Sequence, residues 1–162
     1  FLTDSRDSMS IILFSGELDR AMAALTLANG AAGQGMRVSV FFTFWGLSLL
    51  RAKRGEAKTF LEGLFKTMLP VGASATTSLS RFNFGGLGGS LLRRMLRSKE
   101  AQTPEDLLKM AMERQITFVA CEASLKILGL TADELIPYDQ LHVAGVDSFL
   151  ESARQSKIQL FI

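Results

Sequence analysis

Met9-Ser-Ile-Ile-Leu-Phe14, halted at Ser15-Gly16 and followed by the helically spaced Leu18, Ala21, Met22, Leu25 and Ala28, decides the fold class of this chain. A short, nearly continuous apolar run is what a strand covered on both faces of a parallel sheet requires. Gly33 and Gly35 stop the helix that opens near Glu17. Met36-Arg-Val-Ser-Val-Phe-Phe42, rich in β-branched and aromatic residues, is then a second strand, and the three pieces predict a βαβ unit with a right-handed crossover.

The same alternation continues outward. Thr43-Phe-Trp-Gly46 is a tight aromatic segment, and Leu47 to Leu69 reads as a helix broken near Arg54-Gly55 and closed by Pro70. Residues 71 to 103 are irregular, with glycines at 85, 86, 88 and 89, and Leu91 to Leu96 can form one or two turns of basic amphipathic helix. Thr103 is expected to cap a helix that has Pro104 at its first position and Glu105 and Asp106 in its first turn. Ile116-Thr-Phe-Val-Ala120 is a third strand, Glu122 to Leu128 a short helix ended by Gly129, and Thr131 to Glu134 a capping box. Leu141 to Ala144 is a fourth strand, Val146 to Ser156 a helix, and Ile158 to Ile162 a last strand. The pattern implies a three-layer αβα sandwich around a mainly parallel sheet of about five strands, with a flavodoxin-like strand order as the natural expectation. Residues 1–8 are expected to be a disordered tail and 9–162 a single domain, with a mobile, glycine-rich basic insertion at about 80–99.

Composition narrows the function classes. The chain has 162 residues, 48% hydrophobic and 21% charged, enough to bury roughly two-thirds of its unfolded surface without a disulfide. A net charge of +2 gives no overall field to draw it to nucleic acid. The longest apolar stretch, Val38 to Leu50, is interrupted by polar residues and is shorter than the roughly 20 residues that span a bilayer. With one cysteine there is no internal disulfide, so a reducing compartment such as the cytoplasm is expected.

That cysteine, Cys121, lies where the third strand runs into a helix. Unpaired backbone N–H groups and the positive end of the helix dipole favour a thiolate there, below the free value of about 8.5, whereas the neighbouring Glu122 and burial oppose it. Placement alone leaves two readings open, a reactive thiolate and a small buried hydrophobe. His142, the one histidine, reads as structural, and one Cys and one His do not make a zinc site. Gly85 to Ser90 matches neither the P-loop nor the dinucleotide fingerprint, so no cofactor is expected.

Four segments carry a resemblance. Ala120-Cys-Glu-Ala-Ser-Leu-Lys-Ile-Leu-Gly129 after Thr117-Phe-Val, Phe42-Thr-Phe-Trp-Gly46, Phe84-Gly-Gly-Leu-Gly-Gly-Ser-Leu-Leu92 and Val143-Ala-Gly-Val-Asp-Ser-Phe-Leu150 resemble the DsrE/DsrF-like family of sulfur-relay proteins, in its larger, peroxiredoxin-annotated branch. The resemblance covers about residues 9 to 162. It implies a parallel-sheet α/β fold, a homo-oligomeric habit, a persulfide carried on Cys121, and partners among rhodanese-type donors and TusA-like carriers. Cys121 alone receives a chemical role from it. Gly16, Thr43, Phe44, Trp45, Gly46, Gly85, Gly86, Gly88, Gly89 and Glu122 are candidates for contact with substrate or partner.

The leading expectation is therefore a sulfur carrier or sulfurtransferase. A binding or adaptor domain is the alternative, acting through the 80–99 segment, where Arg81, Arg93, Arg94, Arg97 and Lys99 offer a basic surface and 91–97 a peripheral membrane contact. Thiol peroxidase activity ranks last, because the chain has no resolving cysteine.

Overall fold

The computed structural model describes residues 7–53, 55–56, 59–75, 78–81, 85 and 87–162. Five parallel strands form the sheet: β1 (Ser8–Leu13), β2 (Arg37–Phe42), β3 (Thr117–Cys121), β4 (Leu141–Ala144) and β5 (Ile158–Phe161). Ser8, expected in the tail, is the first residue of β1, pairing with Arg37; residues 1–6 of that tail lie outside the described residues.

The helices are α1 (Leu18–Gly33), α2 (Phe60–Met68), α3 (Leu87–Ser98), α4 (Pro104–Glu113), α5 (Glu122–Leu128) and α6 (Val146–Gln155). Buried Ala21, Ala24, Ala28 and Ala31 give α1 a narrow face, and Asn29 ties α1 to α4 by donating Nδ2 to the Leu107 carbonyl at 2.9 Å. Thr103 is the expected N-cap and forms a capping box with Asp106, the Thr103 N–H reaching Asp106 Oδ2 at 2.9 Å and the Asp106 N–H reaching Thr103 Oγ1 at 3.3 Å. Each fully buried core leucine, Leu25 among them, contributes about 2 kcal/mol of apolar transfer.

The strand order is β4-β3-β2-β1-β5. It differs from the flavodoxin-like order expected, 2-1-3-4-5. From β1 the chain steps to the next position three times in one direction, then returns from β4 across the sheet to the open edge of β1. Right-handed crossovers put the helices of the three steps on one face and α6, on the return, on the other. The packing agrees. One large core joins β1–β3 to α1, α4 and α5, while on the opposite face Phe41, Val119 and Cys121 form a small cluster with Ile12, Ala144 and Phe149 of α6. A polar seam holds α6 beside that cluster: fully buried Ser10 bonds Ser152 at 3.0 Å and Ser156 at 2.8 Å. The hydrophobic pattern is the same for either order, because it records which faces are covered and not where a crossover lands.

Two expected elements change. Leu47 does not begin an α-helix: Phe44–Leu50 is a 3-10 segment, Arg51 is extended, and α-helix resumes only at Phe60. Leu47, Ser48, Leu49 and Leu50 are all buried, so no single helical face could serve them, and Arg51 bridges to Leu135 instead. The glycine-rich loop is helical from Leu87, absorbing Gly88 and Gly89. Each glycine costs about 1 kcal/mol in a helix, and the following Leu-Leu-Arg-Arg-Met-Leu run of good helix formers offsets it. Among the described residues, no helix is long and apolar enough to cross a membrane.

Candidate functional site

Cys121 is the last residue of β3 and the N-cap of α5, with φ −65° and ψ 114°. Strand alternation turns its side chain to the α6 face, level with Ala144 on β4. There it is only 7% exposed, beside Phe41 and Val119, with the Phe149 ring tilted against that of Phe41 at 5.5 Å. Burial pushes the thiol pKa up. The hydroxyl and N–H of Ser124, the hydroxyl of Thr43 and the N–H of Ala123 face the sulfur and favour its charged form, and together they hold the thiol below its ordinary value. Thr43 and Ser124 also bond each other, Oγ to Oγ at 2.8 Å. Glu122 does not oppose this field strongly. It is solvent-exposed and paired with Lys126 Nζ at 2.7 Å, one helical turn on, which lowers its own pKa.

The sequence 43–46 positions Thr43 through close backbone approach. The Thr43 N–H donates to the Leu13 carbonyl at 3.1 Å and the Gly46 N–H to the Phe14 carbonyl at 3.0 Å. A Cβ on Gly46 would collide with the Leu13 carbonyl oxygen, and one on Gly16 would stand 2.6 Å from that of Trp45, so both glycines are needed for this contact. Phe44 between them takes φ 45°, a left-handed conformation costing about 1–3 kcal/mol in a non-glycine residue. Its ring rests on Phe14 at 5.4 Å. This turn carries the chain from Thr43 at the sulfur to Trp45, which lines a cavity of 480 Å³ with Phe14, Gly16, Ser48, Leu69 and Pro70.

The candidate residues thus fall into three places. Thr43 and Glu122 adjoin Cys121, although Glu122 faces water; Gly16 and Trp45 belong to the neighbouring cavity, which Cys121 does not line; and Phe44 and Gly46 shape the turn between them. Gly85, at φ +68°, and the helical Gly88 and Gly89 line neither place. Gly86 lies outside the described residues. Arg93, counted among the surface cations, is buried: it pairs with Glu105 at 2.8 Å and donates to the Ala73 carbonyl, fastening α3 to α4. His142 is exposed on β4 opposite Val119.

Two further groups shape this region. Ser124 stands three residues after the N-cap, where a hydroxyl naturally faces the capping atom, and that spacing was a usable signal. Arg51 and Glu134, both fully buried, form an ion pair at 3.3 Å that joins the end of the 3-10 segment to the stretch before β4. The carboxylate also accepts from the Gly55 N–H at 2.9 Å. Charged residues 83 positions apart carry no local signal of pairing.

The profile of the DsrE/DsrF/DrsH-like family matches residues 5–161. The chain belongs to this family. Among its relatives, the uncharacterized protein YrkE of Bacillus subtilis is 37% identical over 163 aligned positions, covering 99% of this chain and all of YrkE. The sulfur carrier protein DsrE2 of Allochromatium vinosum is 31% identical over 157 positions, covering 95% of this chain and 97% of DsrE2. Solved DsrE-like folds superpose along nearly the whole chain. The ychN protein of E. coli has a TM-score of 0.57 at 9% identity, and MTH1491 of Methanobacterium thermoautotrophicum 0.56 at 11%, each covering 96% of this chain and 99% of the other. At such identities they speak for the fold alone.

Proposed function

We propose that this DsrE-like protein carries sulfane sulfur as a persulfide on Cys121 and passes it to partner thiols. The observation that supports this best is the set of hydroxyl and backbone N–H donors around the sulfur, which favours a thiolate although the residue is buried. The relationship to a protein named as a sulfur carrier supports the same reading. In loading, the Cys121 thiolate attacks the outer sulfur of a donor persulfide; a new S–S bond forms at Sγ, the donor S–S bond breaks, and the donor leaves as a thiolate. In unloading, an acceptor thiolate attacks the same outer sulfur and Cys121 departs as thiolate. No net oxidation occurs in either step. The donors that stabilise the free thiolate also stabilise Cys121 as a leaving group, so one geometry serves both directions. The chain has no second cysteine to intercept the persulfide as an internal disulfide.

Rhodanese-type donors and TusA-like acceptors are the partners proposed for a cytoplasmic relay. Val146 and Leu150, exposed on α6 beside the Cys121 cluster, offer an apolar rim to such a partner or to a second copy in a homo-oligomer. Incubation with a persulfide donor should add about 32 Da, one sulfur, to the tryptic peptide Gln115–Lys126, and Cys121→Ser should remove the adduct. No adduct under conditions that load a rhodanese control would sink the proposal. The alternative reading, an adaptor, is favoured by the exposed stripe Leu87, Leu91 and Met95 on α3. It requires Cys121→Ser to keep full activity in cells while polar substitutions along that stripe abolish it.

A further inference from the structure

We infer that the cavity beside Trp45 is a binding site for a neutral, flat, largely apolar small molecule bearing one hydroxyl or carbonyl group. Its volume of 480 Å³ falls within the range of small-molecule sites, about 300–1,000 Å³. Phe14, Trp45, Leu69 and Pro70 line it with ring and aliphatic surface, which suits a flat apolar body. Trp45 and Met68 remain 42% and 72% exposed, so the mouth is open.

The polar groups define the rest of the ligand. The charged residues of the lining, Arg20 and Glu17, lie 3.0 Å apart and neutralise each other, and the Ser15 hydroxyl is spent on Glu17 at 2.8 Å. A charged ligand therefore meets no spare counter-charge. Ser48 differs. It is 1% exposed, it belongs to the cavity wall, and its hydroxyl has no hydrogen-bond partner among the described residues. Buried hydroxyls are nearly always satisfied, so a hydroxyl or carbonyl on the occupant is the group this wall calls for. Cys121 does not line the cavity, and the inference stands independently of sulfur transfer.

Trp45 is the single tryptophan of the chain, so its fluorescence reports the site directly. The test titrates the full chain with benzyl alcohol and with ethylbenzene, which matches it in shape but lacks the hydroxyl. Both should give a saturable change in Trp45 emission. Ser48→Ala should weaken benzyl alcohol about five-fold, the worth of one hydrogen bond, and leave ethylbenzene within about two-fold. Ser78→Phe places a plug at the exposed rim and should abolish both signals; the Ser78 backbone carbonyl, which accepts from the Leu18 N–H at 2.7 Å, is untouched by it. Circular dichroism confirms that each variant is folded. No saturable change with either probe, or an equal loss of both in Ser48→Ala, would overturn the inference.

Discussion

Replacing Thr43 by valine keeps the shape of the side chain and deletes one of the two hydroxyls that favour the Cys121 thiolate. A hydrogen bond to a charged group contributes about 1.5–3 kcal/mol, so losing one that favours the thiolate should raise the thiol pKa and move the onset of its reactivity to higher pH. Ser124 loses its 2.8 Å partner at the same time. Its hydroxyl becomes free to turn wholly to the sulfur, which limits the expected shift, and Thr43→Val with Ser124→Ala should exceed the sum of the two single changes. The assay is the rate of iodoacetamide alkylation of this one cysteine against pH, followed on the Gln115–Lys126 peptide. The curve should keep its plateau and move to higher pH. A midpoint that stays put or moves down would refute the idea that the hydroxyl cage sets the ionisation. Stability supplies an independent reading. Because the folded pKa is depressed below that of the unfolded thiol, ionisation stabilises the native state increasingly as pH rises from the folded value toward the unfolded one, near about 8.5; this gain is full above the unfolded value and is lost as pH falls through the folded value. Thr43→Val should flatten that rise in the melting temperature.

Phe149→Ala removes the ring that packs on the Cys121 cluster from α6. The plateau rate of alkylation should increase several-fold with little change in its midpoint, at a stability cost of about 2 kcal/mol because the ring is only partly buried; an unchanged plateau would show that access runs elsewhere. Glu134→Ala leaves the guanidinium of Arg51 buried without its carboxylate, and chemical denaturation should register a loss of about 3–5 kcal/mol. A loss below about 1 kcal/mol would mean that water reaches Arg51 and that the pair is not a pin between the two segments.

The boundaries of α5 were legible to the residue, since Gly129 closes it in the left-handed conformation, φ 66°, that its sequence position announces. The Thr103 cap was equally clear, because a capping box is complete within four residues. The 3-10 segment was not, because consecutive buried residues look like a helix core until the packing around them is known. Nor was the fate of Arg93, whose partners Ala73 and Glu105 lie 20 and 12 residues away.

Local periodicity and caps record only the neighbours a residue meets along the chain, and these sufficed for the strands, most helices, the parallel α/β class and the position of one thiol at a strand-to-helix junction. Three things depended on where crossovers land and on contacts far apart in sequence: the order β4-β3-β2-β1-β5, the Arg51–Glu134 pair, and the meeting of Thr43 with Cys121 and Ser124. Thr43 and Ser124 stand 81 positions apart, and it is the pairing of β2 with β3 that brings their hydroxyls to one sulfur. A hydrogen bond acts over about 3 Å of space, whatever the length of chain between its partners.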